Sequence, residues 1–390
     1  MKILFVSNLF PDASKPIWGL DNATILHYLR AHHEVKVLAT RFVPLWSRRA
    51  SPILPRALDK DLEASFLNIP YLPKIDRGLS PFLYRKSLRR TLDALHRRYP
   101  FDRILCSWLY PDGCAVEHLA RSLQKPFALI AQGSDVHQYL SLPYRRRRIV
   151  TAANHSLGVI TRSGDLGTRL RAAGVHKDIP RTVYNGVDHQ TFFPDNPEDT
   201  RQRLGLPRGV PIILYVGNLL PIKRPQLIIE AFEKMAQEPD YKGAQLLLIG
   251  GGPLKPLLEQ QIKAANCANQ IHLLGQKPPK EIADYMRAAS FLTLASINEG
   301  VPNVILEALA SGLPVVAPDV GGIAEVLNRP ELGITWEIAG SDNLLEAWKS
   351  LLNKPRDTTL IASTGKQYTW EAAAEAYSQV LSADPPPPFR

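Results

Sequence analysis

Cysteine is scarce in this chain: three among 390 residues, at Cys106, Cys114 and Cys267. The number is odd and the spacings match neither a disulfide framework nor a metal motif, which fits a reducing compartment and small buried side chains. Long apolar runs are missing too. No stretch reaches the roughly 18 residues of a spanning helix. The opening Met-Lys-Ile-Leu-Phe-Val-Ser-Asn reads as a first strand, with an apolar run too short for a signal peptide. No cluster of His, Cys and carboxylate residues suggests zinc. No nucleic-acid motif accompanies the basic residues, so nucleic acid is not an expected partner. A cytoplasmic protein without a metal or cofactor is the expectation.

What the chain does have is apolar substance and lopsided charge. A hydrophobic fraction of 45% supports well-buried cores, and the length fits two or three domains at about 150 residues each. The net charge is +10. Residues 1–190 hold 29 Lys and Arg against 15 Asp and Glu, or +14, and residues 191–390 hold 18 against 22, or −4. The excess therefore belongs entirely to the first half, which points to domain complementarity or to an anionic surface.

Strand and helix patterns alternate throughout, the mark of α/β units with parallel sheets. Strands are expected near 2–7, 34–39, 102–107, 126–131, 157–161 and 181–184, then near 211–217, 244–249, 270–273, 290–295 and 313–317. The polar, proline-bearing stretch 194–209 reads as a linker between an N-terminal domain, 1–193, and a C-terminal domain, 210–365. Residues 340–381 read as three terminal helices, and Pro385–Pro388 as an extended tail.

Glu299 and Glu307 carry the strongest chemical signal. Their spacing means nothing by itself, since Glu230 and Glu238 repeat it. The context differs: Gly300 and Pro302 separate Glu299 from a helical run, Asn303 to Ser311, that Gly312 ends. Proline suits the first helical position, and Val301 before it is a poor cap. The amides of Asn303, Val304 and Ile305 are then left to bind an anion. Two carboxylates beside an anion site suit a phosphorylated molecule with hydroxyl groups, that is, a nucleotide sugar.

This segment, with Gly312-Leu-Pro-Val-Val-Ala-Pro-Asp-Val-Gly-Gly-Ile-Ala-Glu-Val326 after it, resembles the C-terminal half of the retaining glycosyltransferases of family 4. The resemblance implies the GT-B fold: two Rossmann-like domains facing across a cleft, with a last helix (366–390 with its tail, around Gln367-Tyr-Thr-Trp-Glu-Ala-Ala) crossing back to the first. It implies transfer of a hexose from a nucleoside diphosphate sugar to an acceptor hydroxyl with retention, as in bacterial polysaccharide or glycolipid synthesis. Another GT-B enzyme, an epimerase or a phosphorylase, and a catalytically silent scaffold are the alternatives.

Residue by residue, the resemblance assigns Lys223 and Glu299 as catalytic, Lys223 stabilising the leaving diphosphate and Glu299 holding hexose hydroxyls. Glu307 would hold the ribose. Gly217, Asn218, Arg224, Gly251, Lys277, Gly300, Val301, Pro302, Asn303 and Val304 complete the donor side, with a UDP-sugar ahead of a GDP-sugar. Asn218 stands where the family commonly has Arg, and Arg224 where it commonly has Gly. Gly19, Ser134 and Asp135 form the acceptor side, where Leu20 replaces a second glycine and Gln132 a histidine. Asp59-Lys-Asp61 is a metal-ligand pattern of glycosyltransferases of another fold, but it sits in a charged loop, so no metal is expected.

A glycan or lipid-linked acceptor fits the basic first half. Residues 82–98 place Leu88, Leu92 and Leu95 on one face among arginines, and Arg145–Arg148 adds a second basic run, so peripheral docking on an anionic membrane is a partner to test beside ordinary packing of that helix on the sheet.

Overall fold

In the first strand, β1 (Lys2–Ser7), Ile3, Leu4, Phe5 and Val6 are all fully buried. Successive strand side chains point to opposite faces, so a run apolar at every position needs cover on both. That is what it finds. Ile3 and Phe5 join a core with Ala23, Leu26 and Tyr377, while Leu4 and Val6 join another with Tyr84, Leu88 and Ile104. The computed structural model describes residues 1–44, 62–71 and 80–384; Asp59, Asp61 and Pro385–Pro388 lie outside them.

The chain divides into two units, Met1–Asn185 with the helix Trp370–Ser382, and Gly186–Thr369. In the first, β1 is followed by β2 (Glu34–Pro44), β3 (Ala64–Tyr71), β4 (Arg103–Ser107), β5 (Phe127–Ala131), β6 (Val159–Thr161) and β7 (Pro180–Thr182), in the spatial order β3-β2-β1-β4-β5-β6-β7. The second holds β8 (Ile212–Val216), β9 (Gln245–Ile249), β10 (Ile271–Gly275), β11 (Phe291–Thr293), β12 (Val315–Pro318) and β13 (Gly333–Trp336), ordered β10-β9-β8-β11-β12-β13. Every pairing in both sheets is parallel. Each order reverses direction beside its first strand, between β1 and β4 and between β8 and β11, and open parallel sheets bind ligands beyond the carboxyl ends at such points.

The expected strands are present. Two edge strands, β3 and β13, were not expected. The stretch 194–209 is more than a linker: the helix Pro197–Leu204 occupies it, capped by the Asn196 side chain, and Arg201 donates to the Ala288 carbonyl at 2.8 Å. The division between units falls earlier, after Asn185. The three terminal helices are Ser341–Leu352, Thr358–Gly365 and Trp370–Ser382. The last packs within the first unit, its Trp370 ring stacked 6.3 Å from Tyr28 and its Leu381 carbonyl taking a hydrogen bond from Arg103 at 3.1 Å.

The helix Ser80–Arg98 buries Tyr84, Leu88 and Leu92 completely against the first sheet. Its apolar face is thus spent on the core, the ordinary packing on the sheet that was one of the two expectations for this helix. Phe82, Lys86, Arg89, Arg90, Arg97 and Arg98 are exposed. No helix among the described residues is long and apolar enough to cross a membrane.

Candidate active site

Parallel pairing puts the segments that follow β8, β9, β10, β11 and β12 along one edge of the second sheet. After β8, the chain makes a short turn, Pro221–Lys223, and enters the helix Pro225–Ala236. After β11, it runs through Glu299 to the helix Asn303–Ala310. The Ile297 amide donates to the Ile222 carbonyl at 2.9 Å, tying these two segments together. The Lys223 ammonium donates to Glu299 Oε1, with the two side chains 25% and 10% exposed. A largely desolvated ion pair of this kind is held by its surroundings rather than by bulk water.

The backbone beneath Glu299 is fixed from β12. Gly321 has φ +58°, and a Cβ there would lie 1.9 Å from the Glu299 carbonyl oxygen. Its neighbour Gly322 donates its amide to the Gly300 carbonyl at 3.0 Å. Glu299 therefore rests on a glycine pair that only glycine can supply at position 321. The turn after β9 works likewise on the β8 side. A Cβ on Gly250 would meet the Gly217 carbonyl oxygen at 1.9 Å, and the Leu219 amide donates to the Gly251 carbonyl at 2.9 Å. Gly251 thus supports the Gly217–Leu219 segment. Beneath Asn218, the buried Tyr215 hydroxyl donates to its carbonyl at 2.9 Å. Burial, with the Glu299 charge nearby, pushes that phenol well above its usual range.

The helix after Glu299 begins one residue later than expected. Pro302 has φ −62° and ψ 130°, so it stands at the cap, not inside the helix, and no side chain caps the start. Its carbonyl accepts the Ile305 amide at 3.0 Å. Ile305 is thereby removed from the expected anion-binding set. Val301 is buried, whereas Asn303 and Glu307 are half-buried and share a helix face at i, i+4. Lys277 is otherwise engaged: its ammonium lies 2.8 Å from Glu281, one helical turn on. The decoy Glu238 pairs with Lys349 at 2.5 Å, away from these loops in sequence and in partners.

In the first unit a polar network occupies the carboxyl ends of β1, β4 and β5. The Gln132 amide donates to Asn22 Oδ1 at 3.0 Å and to the Ser107 hydroxyl at 2.8 Å, and Asn22 donates to the Leu9 carbonyl at 2.7 Å. Gly19, at φ 72°, starts the helix Leu20–Leu29. Ser134 is exposed. Asp135 is fully buried, accepting the amides of Leu109, Gln132 and Gly133 at 2.9, 3.0 and 2.9 Å. Burial pushes its pKa up to about 6 in spite of those bonds. Its carboxylate organises the turn and has no surface to offer an acceptor, which corrects the expectation for Asp135.

Asp112 is the other buried acid here. It takes the Asn8 amide at 2.8 Å, the Asn8 side chain at 2.8 Å and the Tyr84 hydroxyl at 3.1 Å. Burial still raises its pKa to about 7. A raised acid holds its proton in the folded state, so this contribution to stability is full below about pH 4 and disappears as pH climbs through 7, at up to about 1.4 kcal/mol per pH unit. Asp112→Asn is therefore expected to gain stability relative to the parent protein between pH 4.5 and 8.5, read from urea midpoints. A difference that stays flat with pH would show that the carboxyl is not held protonated.

The pattern of the family described as "Glycosyl transferases group 1" matches residues 196–381, and that of "Glycosyltransferase Family 4" matches residues 23–191. Between them they span nearly all of both units. The chain belongs to glycosyltransferase family 4. Among curated proteins it is 24% identical over 336 residues to the N-acetyl-alpha-D-glucosaminyl L-malate synthase of Bacillus anthracis, covering 86% of this chain and 83% of that one. It is 26% identical over 344 residues to TuaC of Bacillus subtilis, a putative teichuronic acid biosynthesis glycosyltransferase, covering 84% of each. Among solved structures, HepE of Anabaena in complex with UDP aligns with a TM-score of 0.75 at 20% identity, over 98% of this chain and 100% of that one. The fold is GT-B.

Departures from the family pattern now have local explanations. Arg224, where the family commonly has Gly, adopts φ 49° and ψ 47°, the left-handed conformation that explains a preference for glycine. A non-glycine residue there costs about 1–2 kcal/mol. Leu20 opens a right-handed helix and needs no positive φ, so the second glycine of the acceptor loop is dispensable. Gln132 supplies an amide that binds Asn22 and Ser107. The residues that sequence reasoning passed over are Tyr215, Gly321, Gly322, Asn8, Asn22, Ser107 and Asp112. The Gly-Gly pair was a readable signal; nothing in sequence marks the buried acid.

Proposed function

We propose that this glycosyltransferase moves a hexose from a nucleoside diphosphate sugar, a UDP-sugar first, to an acceptor hydroxyl with retention and without a metal. The observation that carries the reading is the Lys223–Glu299 pair on the carboxyl edge of the second sheet, beside the uncapped start of the Asn303–Ala310 helix. A cation and helix amides on one side of a carboxylate suit a diphosphate joined to a polyol. HepE, of the same fold, binds UDP.

Lys223 is assigned to the leaving diphosphate and Glu299 to the hexose hydroxyls. Glu299 neutralises Lys223 in the pair, so a diphosphate needs further positive charge. Arg224, half-buried next to Lys223, and the helix amides provide it, which gives a use for the strained backbone at that position. Transfer proceeds on the front face: the acceptor oxygen attacks the anomeric carbon as the C–O bond to phosphate breaks, and a departing phosphate oxygen takes the acceptor proton. Glu307 holds the ribose. Glu307→Gln is expected to raise the donor KM about tenfold, the value of one charged hydrogen bond, with kcat nearly unchanged.

The acceptor is a glycan or a lipid-linked sugar of polysaccharide or glycolipid synthesis, used in the cytoplasm at the inner face of a membrane. Arginines exposed on Ser80–Arg98 and Pro143–Asn154 favour an anionic surface, each worth about 1 kcal/mol near it. Sedimentation with phosphatidylglycerol vesicles at low salt is expected to pull the protein down, and failure to bind would remove the membrane from the account. The reaction itself is tested with UDP-, GDP- and ADP-glucose, scored by thermal stabilisation and slow hydrolysis. A catalytically silent protein would hydrolyse none of them, and an epimerase would return an isomerised sugar.

A further inference from the structure

The second unit has a cavity of about 450 Å³ at the opposite edge of its sheet, within the range that ligands occupy. It is lined by residues at the amino ends of strands, Ser290 before β11 and Pro314 before β12, and by the segments around Leu351 and Ile361. Two mostly buried guanidinium groups face it. Arg201 donates to the Ala288 and Val210 carbonyls, to the Ser290 hydroxyl and to Glu198, the last at 3.0 Å. Arg356 donates to the Gly312 carbonyl at 3.0 and 2.8 Å and to the Ala289 carbonyl at 2.8 Å.

The two arginines differ in charge balance. Arg201 has Glu198 as its counter-ion. Arg356 meets only carbonyl oxygens, with no carboxylate of the described residues in ion-pair range, and three bonds leave two of its five N–H groups over. Its burial, with Arg201 as a second positive charge nearby, pulls its pKa down to about 10. Both effects mark a cation that an anion would stabilise. Lys354 adds an exposed ammonium at the rim, opposed by exposed Glu331. The remaining wall is largely apolar: Leu352, Pro197, Pro330 and Pro355 present surface over buried Phe291, Leu351 and Ile361.

We propose that this cavity binds a small amphipathic anion, one carboxylate or phosphate head directed at Arg356 with an apolar body on Leu352 and the prolines around it, Pro197, Pro330 and Pro355. The site is distinct from the Lys223–Glu299 loops, which lie beyond the carboxyl ends of the same strands. Arg356 grips the Gly312 carbonyl just past the end of the Asn303–Ala310 helix, whose other end begins at Pro302.

The test is isothermal titration of the whole protein with sodium octanoate, alongside 1-octanol as the neutral chain and inorganic phosphate as the chainless anion. One equivalent of octanoate is expected to bind, with the other two at least about tenfold weaker, as a charged contact and a buried chain are each lost. Leu352→Trp, at a half-exposed lining position, fills the cavity and should abolish binding, whereas Arg356→Met should reduce octanoate to the level of octanol. Should Arg356→Met fail to fold, Leu352→Trp decides. Equal binding of octanol and octanoate would reduce the site to an apolar void. Equal binding of phosphate would reduce it to surface charge. Octanoate bound by Leu352→Trp as by the parent protein would place the ligand elsewhere, and each of these results overturns the proposal.

Discussion

Lys223→Ala is expected to lower kcat by about a hundred- to a thousand-fold, the usual loss when one charge-stabilising donor is removed from a transition state. Donor KM should move far less, because other groups still hold the nucleotide. The variant also strips Glu299 of its counter-ion. With a side chain only 10% exposed, that carboxylate loses a charged partner at a cost of about 1–3 kcal/mol, so the fall in rate has to be measured on folded protein, with circular dichroism beside the kinetics. Lys223→Arg keeps the cation but changes its reach, and should recover folding fully and rate partly. Unchanged donor hydrolysis and transfer in the alanine variant would remove Lys223 from the leaving-group role, whatever the fate of the family assignment.

The second large effect is expected where no reacting group is touched. Gly321→Ala brings a methyl group to 1.9 Å from the Glu299 carbonyl oxygen, on a residue at φ +58°. The left-handed backbone alone costs about 1–2 kcal/mol with a side chain, and the contact forces the Glu299–Gly300 segment to move. A lower urea midpoint and a fall in kcat/KM should appear together. Gly340→Ala is the control: it lies in the same unit, its φ is extended, and nothing stands within 4 Å of the added Cβ. Equal behaviour of the two variants would mean that the glycine pair does not position Glu299.

The buried strands were legible because parallel sheets demand unbroken apolar runs, and Ile-Leu-Phe-Val in β1 has no other good use. The elements that escaped are those whose reason lies elsewhere in the chain. Ala64–Tyr71 is a half-covered edge strand with Pro70 in it. The helix Pro143–Asn154 contains four consecutive arginines that mask its periodicity, though Ile149, Ala152 and Ala153 are buried. At the candidate site, Glu299, Lys223 and the bare helix start were readable from local order. Their direct pairing was not, since it depends on Ile297 meeting Ile222 across two loops. Asp112 shows the limit most clearly. Its environment is made by Asn8, 104 positions away, and Tyr84, 28 away, and no local pattern reports on either.

The helix Trp370–Ser382 has a consequence for the order in which the protein is made. Trp370, Tyr377 and Leu381 sit in the same core as Ile3, Phe5 and Leu26. A ribosome reads the chain from the other end. The first unit must therefore wait, with one face of its sheet only partly covered by the helix Leu20–Leu29, while residues 186–369 are synthesised, although domains generally fold as they emerge. Of these two units, the one begun first is closed last, and a chain stopped before Trp370 lacks the side chains that complete this core.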